Sequence, residues 1–427
     1  MQITPLDPWI RQKIAARRPE LTRPEIDAWQ LRKLNETLAL ARAKSPFYAK
    51  FLAGKPESIY GLDELRQFPF TTPADIHSNP LQFVCVPQGE IQRVVTLQSS
   101  GTTGEPKRLY FTAADQELTI DFFGVGMSTL VQPGERVLIL LPCETPGGVG
   151  DLLRSGLSRL GMEAIPHGPV KDPLQTLQVM HEQQADCLVG TPSQVLGLAR
   201  RWHPGLHKPH SILLSTDYVP AAIVNNLEQV WGCEVYNHYG ATEMGLGGGV
   251  ECKAHRGYHL READLYFEVI DPANGETVAD GEYGEVVMTT LTRRGMPLIR
   301  YRMGDRSRFL PGRCPCGTAL KTLEKVCGRY DGFVRVGNGL LALPDLDEAL
   351  FPLPGLLNFS ASVNGSRGHE SLTIETQMLT ETDSTNIVRQ ALKTIPSIQN
   401  IEVIIHCQYK PNETGSLLKR VILDQRI

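Results

Sequence analysis

A short segment rich in glycine and hydroxyl residues, residues 99–107, has the composition of a phosphate-binding loop. Its glycines allow the backbone to approach a ligand closely, and its hydroxyls and lysine supply hydrogen-bond donors for phosphate oxygens. The Walker pattern GxxxxGK[ST] does not occur in the chain, which excludes a P-loop of that class. A Ser/Thr/Gly-rich surface loop is the alternative. The predicted phosphate contacts are Ser99, Ser100, Gly101, Thr102, Thr103, Gly104 and Lys107.

Three cysteines and one histidine form a second candidate site. Cys314 and Cys316 flank a proline and precede a glycine, while Cys252 and His259 lie upstream, seven residues apart. Three thiolates and one imidazole make a closed tetrahedral ligand set, which is typical of structural zinc. Two alternatives stay open from residue types alone: the cysteines are unrelated to one another, or His255 is the imidazole ligand in place of His259.

Three polar motifs follow the glycine-rich segment along the chain. They are YNHYGATE at 236–243, YRMGD at 301–305 and GRYD at 328–331. Together with residues 99–107 they resemble the adenylate-forming superfamily, and within it the phenylacetate-CoA ligase branch. The stretches SPFYAKF, LDELRQFPFTT, TTLTRRGMPLIRYRMGD and CPCG add to this resemblance, which runs from about residue 28 to the C-terminus.

The resemblance implies roles in nucleotide binding for residues of the YGATE motif. Tyr239 would lie against the adenine ring, next to Gly240 in the same site. Glu243 is a hard oxygen ligand suited to Mg²⁺, and Thr242 would donate to the α-phosphate region. Outside this motif, the ordinary interpretations would be a core tyrosine, a solvated glutamate and a turn threonine.

The two later motifs are assigned by the same resemblance. The carboxylate of Asp305 can accept hydrogen bonds from both ribose hydroxyls, and the guanidinium of Arg329 offers a planar fork to phosphate or ribose oxygens. A turn aspartate and a surface ion pair are the alternatives. Asp331 matches the family's hinge residue, whose backbone rotation carries a small C-terminal domain between two orientations.

The implied reaction has two halves. A carboxylic acid attacks the α-phosphate of ATP and expels pyrophosphate, and the thiol of coenzyme A then attacks the acyl-adenylate and releases AMP. The expected ligands are therefore ATP and AMP, Mg²⁺, coenzyme A and a small carboxylic acid. Because all four Cys/His residues stand at positions that match the branch, the resemblance also favours structural zinc.

One catalytic position departs from the family. The family's last motif places a lysine where this chain has Ser416 or Leu417, depending on the alignment. Losing one donor to a transition-state oxyanion costs about 10²–10³ in rate. The alternative function is therefore a degenerate homologue that binds nucleotide or acyl-CoA without full turnover, or that transfers the acyl group to another acceptor.

The acid-binding region departs as well. Residues 142–150 read PCETPGGVG where relatives carry an aromatic, glycine-rich run, and Ser215-Thr216-Asp217 stands where the family has Gly-Ala-Glu. The branch favours an aryl acid, whereas these residues leave the identity of the acid open.

Composition places the chain among ordinary globular proteins. It has 427 residues, 41% hydrophobic and 21% charged, with a formal net charge of −4, which favours neither a nucleic-acid partner nor an acidic tail. The longest apolar runs span about five residues, too few for a membrane helix. The N-terminus lacks the apolar core of a signal peptide, so we expect a cytoplasmic protein. Whether it forms a homodimer stays open.

The elements that must position these residues follow an α/β pattern. Apolar residues at helical spacing predict a helix over 26–44, and short apolar runs at 137–141, 186–189, 211–214 and 233–236 predict buried strands between helices. One α/β unit reads clearly as the strand SILL, Pro220 at a helix start, the periodic run AAIVNNLEQVW, and Gly232 at the helix end. From about 263 the runs LYFEVI and GEVVMTT, joined by the turn DPANGE, predict a hairpin in a β-rich region. We therefore predict an α/β fold: a large N-terminal domain, 1–330, with a β subdomain, and a small mobile α+β lid domain, 331–427.

Overall fold

The computed structural model describes residues 2–97, 106–337, 339–366, 369–380, 384–410 and 420–426. The glycine-rich residues Ser99 to Gly104, and Ser416 and Leu417 at the expected lysine position, lie outside the described residues. Lys107, the last predicted member of the phosphate loop, is described.

The described residues form helices, short 3₁₀ turns and strands. The helices are α1 (Leu6–Lys13), α2 (Arg23–Lys44), α3 (Pro46–Phe51), α4 (Pro73–Ser78), α5 (Ala113–Met127), α6 (Val149–Arg159), α7 (Pro173–Glu182), α8 (Pro192–Ala199), α9 (Ala221–Trp231), α10 (Leu343–Leu350) and α11 (Ser384–Leu392). Short 3₁₀ turns lie at Leu62–Gln67, Pro80–Phe83, Gln88–Glu90, Thr242–Met244, Tyr330–Gly332 and Pro396–Ile398. The strands are β1 (Ile91–Leu97), β2 (Lys107–Thr112), β3 (Arg136–Ile139), β4 (Glu163–Pro166), β5 (Cys187–Gly190), β6 (Ser211–Leu214), β7 (Glu234–Tyr239), β8 (Gly249–Glu251), β9 (Tyr258–Leu260), β10 (Leu265–Ile270), β11 (Gly284–Thr290), β12 (Tyr301–Ser307), β13 (Thr322–Leu323), β14 (Val334–Val336), β15 (Gly339–Leu341), β16 (Leu356–Ser366), β17 (His369–Met378), β18 (Glu402–Tyr409) and β19 (Ile422–Asp424).

The chain divides into two compact units. The first contains residues 1–129, 146–160 and 238–325, and the second contains 130–145, 161–237 and 326–427. The division falls within β7, after Asn237. The predicted boundary between residues 330 and 331 remains a prediction about domain motion.

The second unit contains a parallel sheet with the strand order β7-β6-β5-β3-β4. Strands β5 and β6 are buried along their whole length, as expected for apolar strands covered on both faces. Helix α9 begins directly after Pro220 and ends at Gly232, whose φ of 62° suits a left-handed helix cap. The α/β unit predicted around α9 is confirmed.

The C-terminal part of this unit is a mixed sheet with the order β18-β17-β16-β19, accompanied by α10 and α11. A buried ion-pair cluster lies just before its last strand, β19. Arg420 donates to both carboxylate oxygens of Asp347, at 2.6 and 3.0 Å, and to Asp217 at 3.1 Å. Asp217, one of the departures from the family pattern, therefore helps to neutralise a buried arginine.

The first unit contains α1–α6 and three small sheets. Strands β10, β11 and β12 form an antiparallel sheet, which confirms the predicted hairpin, and β1 pairs with β2. Strands β8, β9 and β13 pair antiparallel beside the last two residues of β7. Helices α5 and α6 cross at Gly124 and Gly156, where a Cβ on Gly124 would lie 2.8 Å from the carbonyl oxygen of Gly156.

None of the helices in the described part of the chain combines the length and the apolar character needed to cross a bilayer.

Candidate active site

The YGATE motif forms a tight turn after β7. A Cβ on Gly240 would overlap the carbonyl oxygen of Leu246 and lie 2.8 Å from Cε1 of His238, so only glycine fits there without a shift of the backbone. The 3₁₀ turn Thr242–Met244 follows and ends at Gly245, whose φ is 72°. This turn places the half-buried Thr242 next to Glu243, which is only 7% exposed.

Glu243 lies in a small polar cluster. The ammonium group of Lys107 forms an ion pair with its carboxylate, and the Tyr301 hydroxyl donates to Glu243 Oε1 at 3.2 Å. Lys107 Nζ also lies 3.3 Å from the Tyr301 hydroxyl. Burial alone would raise the pKa of Glu243, but the Lys107 ammonium lowers it below its ordinary value. Glu243 is therefore an ionised carboxylate, which is the form that binds a hard cation.

Tyr239 and Asp305 lie together in the same unit. The Tyr239 hydroxyl donates to Asp305 Oδ2 at 2.8 Å. One face of the Tyr239 ring stacks on Tyr258, with centroids 5.5 Å apart and planes inclined by 25°. Strand β12 alternates buried and half-buried residues, which puts Tyr301 and Asp305 on its buried face. The structure thus brings four predicted residues, Lys107, Tyr239, Glu243 and Asp305, into one compact unit.

Arg329 and Asp331 belong to the second unit. The guanidinium of Arg329 donates to both carboxylate oxygens of Asp331, at 2.9 and 3.2 Å. The Asp331 side chain is 71% exposed, so this pair adds little to stability.

The four predicted zinc ligands come together. Cys252, after β8, lies with its Sγ 3.6 Å from that of Cys314, and Cys316 Sγ lies 3.4 Å from His259 Nε2. Tetrahedral zinc with Zn–S of about 2.3 Å and Zn–N of about 2.05 Å would separate these pairs by about 3.8 and 3.6 Å. All four side chains are buried, and their ligand atoms lie within 4.8 Å of one another. The donor set therefore fits zinc.

The competing histidine is placed elsewhere. His255 Nδ1 lies 3.8 Å from a carboxylate oxygen of Glu251, and the imidazole found with the three cysteines is that of His259. The choice between the two was open from sequence alone, because it depends on the pairing of β8 with β9. That pairing sets Val250 opposite His259.

Sequence reasoning missed three residues near Glu243 and Tyr239. Tyr301 stood inside the YRMGD motif without an assigned role, although alternation along β12 places it on the same face as Asp305. Tyr258 and Arg261 flank His259, and their roles depend on contacts between distant parts of the chain. No local pattern in the sequence signals them.

Similarity to known proteins identifies the family. The family model for AMP-binding enzymes matches residues 63–291. The chain belongs to this family. This AMP-binding enzyme is 28% identical to a phenylacetate-coenzyme A ligase of Escherichia coli strain K12, over 92% of this chain and 93% of the relative. It is 31% identical to one of Thermus thermophilus, over 77% of this chain and 76% of that one.

A solved structure has the same fold. A crystal structure of 2-hydroxyisobutyryl-CoA ligase in the postadenylation state, in complex with 2-HIB-AMP, aligns with a TM-score of 0.82. The alignment covers 95% of this chain and 91% of that chain, at 21% sequence identity. The predicted adenylate-forming fold is therefore confirmed. The phenylacetate-CoA ligase-like branch is confirmed by the family match and the sequence relatives.

Proposed function

We propose that this AMP-binding enzyme is an ATP-dependent carboxylic acid–CoA ligase that forms an acyl-adenylate and then an acyl-CoA thioester. The observation that carries the proposal is the grouping of Lys107, Tyr239, Glu243 and Asp305 in a chain whose curated relatives are phenylacetate-coenzyme A ligases. These relatives favour full turnover over the alternative of a binding protein without catalysis.

The nucleoside would be bound by Tyr239, Gly240 and Asp305. Tyr258 covers one face of Tyr239, which fixes the ring and leaves its other side or edge to contact adenine. Asp305 already accepts a hydrogen bond from Tyr239, so the carboxylate is held in place before ribose binds. Such pre-organisation lowers the entropy cost of binding.

The triphosphate would lie near Glu243. Glu243 would hold Mg²⁺, which when bound neutralises charge on phosphate oxygens. In the structure, Lys107 neutralises the Glu243 carboxylate. When ATP and Mg²⁺ are bound, we expect the Lys107 ammonium to turn toward a phosphate. Thr242 and the glycine-rich residues 99–104 would supply hydrogen-bond donors to the phosphates.

The chemical steps then follow from binding. An oxygen of the substrate carboxylate attacks the α-phosphorus, and the bond to pyrophosphate breaks. The thiol of coenzyme A, having lost its proton, attacks the acyl carbonyl, and AMP leaves. Arg329 would stabilise phosphate or ribose oxygens, and rotation at Asp331 would carry the lid domain 331–427 between the two steps.

The missing lysine sets the rate we expect for adenylation. With Ser416 or Leu417 at that position, the first step should be slower than in a lysine-bearing ligase by about 10²–10³. A Leu417→Lys variant that gains adenylation rate would identify this position as the reason. Equal rates in Leu417→Lys, Ser416→Lys and the wild type would contradict it.

Zinc would be structural in this enzyme. Cys252, His259, Cys314 and Cys316 complete a tetrahedral set without an open position, which suits a metal that fixes a fold. It would join the loop after β8, strand β9 and the loop before β13.

An aryl acid is the substrate class we favour. The experiment is AMP release measured by chromatography, with Mg-ATP, coenzyme A and a panel of aryl and short-chain acids. We expect acid-dependent AMP and acyl-CoA in equal amounts, highest with an aryl acid. Nucleotide binding without AMP release for any acid would overturn the ligase proposal, and a short-chain optimum would overturn the aryl class alone.

A further inference from the structure

A buried arginine directly follows strand β9. Arg261 is 3% exposed, and its guanidinium donates to the carbonyl oxygen of Met244 at 3.0 Å and to that of Leu118 at 3.2 Å. Its Nε lies 3.6 Å from a carboxylate oxygen of Asp264. Two of its three nitrogens therefore hold backbone carbonyls of other segments.

The Met244 carbonyl belongs to the turn that carries the proposed magnesium ligand. Met244 follows Glu243 directly and ends the 3₁₀ turn. The next carbonyl, that of Gly245, accepts a hydrogen bond from the Thr119 hydroxyl at 2.6 Å. Two successive carbonyls after Glu243 are thus held from outside the turn, one by Arg261 and one by α5.

A guanidinium is costly at this place. Arg261 is only 3% exposed, so its charged guanidinium has lost most of its hydration. A methionine or leucine would fill similar space without that desolvation cost. What only arginine supplies is a rigid fork of donors that can hold two carbonyls at once.

A small cavity borders the turn and is lined by Met244, Gly245, Arg261 and Arg293. Removing the guanidinium would enlarge this cavity and leave the Met244 carbonyl without its donor. The turn would then be less firmly held, and Glu243 with it.

We propose that Arg261 is a positioning residue for adenylation, which holds Glu243 in place through the carbonyl of Met244. This rests on the proposed function, in which Glu243 binds Mg²⁺. A displacement of about 1 Å in such a group can cost about 10²-fold in rate. The defect should appear in the magnesium dependence and in kcat, because the proposed function assigns magnesium and phosphate to this turn and assigns coenzyme A no contact with it.

The test compares Arg261→Met and Arg261→Lys with Arg42→Met. Arg42 is a matched control, because its guanidinium also holds backbone carbonyls, those of Leu52 and Pro56, away from the site. Two readouts are needed: the Mg²⁺ concentration for half-maximal binding of a non-hydrolysable ATP analogue, and kcat with KM for coenzyme A.

Arg261→Met should raise the half-maximal Mg²⁺ concentration about 10-fold and lower kcat about 10–100-fold, with KM for coenzyme A within about 3-fold. Arg261→Lys should fall between this variant and the wild type, since an ammonium keeps the charge but lacks the two separate nitrogens that hold the two carbonyls. Arg42→Met should lower the urea midpoint and leave the magnesium dependence unchanged.

Two outcomes overturn the proposal: a magnesium dependence of Arg261→Met equal to that of wild type, or the same kinetic change in Arg42→Met. If the wild type releases no AMP with any acid, the ligase proposal fails by itself. The magnesium dependence of analogue binding then still decides whether Arg261 positions Glu243.

Discussion

The ion pair between Lys107 and Glu243 should be strongly coupled, because both side chains are nearly buried, at 12% and 9% exposure. In Lys107→Met the Glu243 carboxylate keeps the Tyr301 hydroxyl at 3.2 Å but loses its cation. Breaking a buried pair from one side costs about 3–5 kcal/mol in the free energy of unfolding. In Glu243→Gln the amide oxygen can still accept from Lys107, so we expect a smaller loss of about 1–3 kcal/mol.

The double variant, Lys107→Met with Glu243→Gln, leaves no buried charge in the pair. Its loss should fall short of the sum of the single losses by at least about 1.5 kcal/mol. Urea unfolding, with hydrogen exchange of β2 peptides to report on the first unit, measures all four proteins. A matched cycle on Arg159 and Glu117, whose side chains are about half exposed, should give about 0–1 kcal/mol.

The pH dependence of the free energy of unfolding tests whether the charge of Lys107 causes this coupling. Lys107 lowers the pKa of Glu243. The stability that the ion pair contributes is therefore present above the ordinary pKa of a glutamate and is lost as pH falls through the lowered pKa. Without Lys107, burial is opposed only by weaker hydrogen bonds such as that from Tyr301, so we expect the pKa of Glu243 to rise and the cost of Lys107→Met to shrink at low pH. Additive single losses, within about 0.5 kcal/mol at neutral pH, would refute the reasoning.

Three further perturbations have defined outcomes. Gly124→Ala should lower the free energy of unfolding by about 1–3 kcal/mol, because its Cβ meets a backbone carbonyl of α6, whereas Gly126→Ala, with only a valine methyl 3.6 Å away, should be neutral or stabilising by up to about 1 kcal/mol in urea melts. The burial of Asp347 outweighs the charge of Arg420 and raises the pKa of Asp347 to about 7. The contribution of this carboxyl group to stability is therefore present at low pH and is lost as pH rises to 7. Asp347→Asn should remove that slope, at most about 1.4 kcal/mol per pH unit between pH 5 and 7; parallel profiles for both proteins would contradict this. Elemental analysis of protein purified without chelator should find one zinc per chain and less than half of that in Cys316→Ser, with a lower thermal midpoint; equal metal in both would exclude this ligand set.

The elements of the fold were predictable because their signals are local. Alternating or continuous apolar runs predicted β5, β6 and the β10–β11 hairpin, and Gly232 after the periodic run predicted the end of α9. The family was predictable because four polar motifs follow one another in a specific order along the chain, whereas the motif around Glu243 alone would be weak evidence.

What the sequence could not predict depends on contacts between distant segments. Residues 146–160 pack with the first unit although the segments on either side of them belong to the second. The close crossing of α5 and α6 explains this, since it needs glycine on both helices. Arg261 likewise gains its role only once β9 lies beside the turn, and no spacing in the chain encodes that.

Strand β9 has only three residues, yet it and the residue that follows it contact three different groups. Tyr258 stacks on Tyr239, His259 faces the thiol cluster, and Arg261 follows at once and holds the carbonyl beside Glu243. Any displacement of this segment reaches all three together. With zinc bound at this cluster, as we propose, specific activity per mole of protein should rise and fall with metal content from one preparation to the next, and a batch grown in a zinc-poor medium would be misjudged as a poor catalyst.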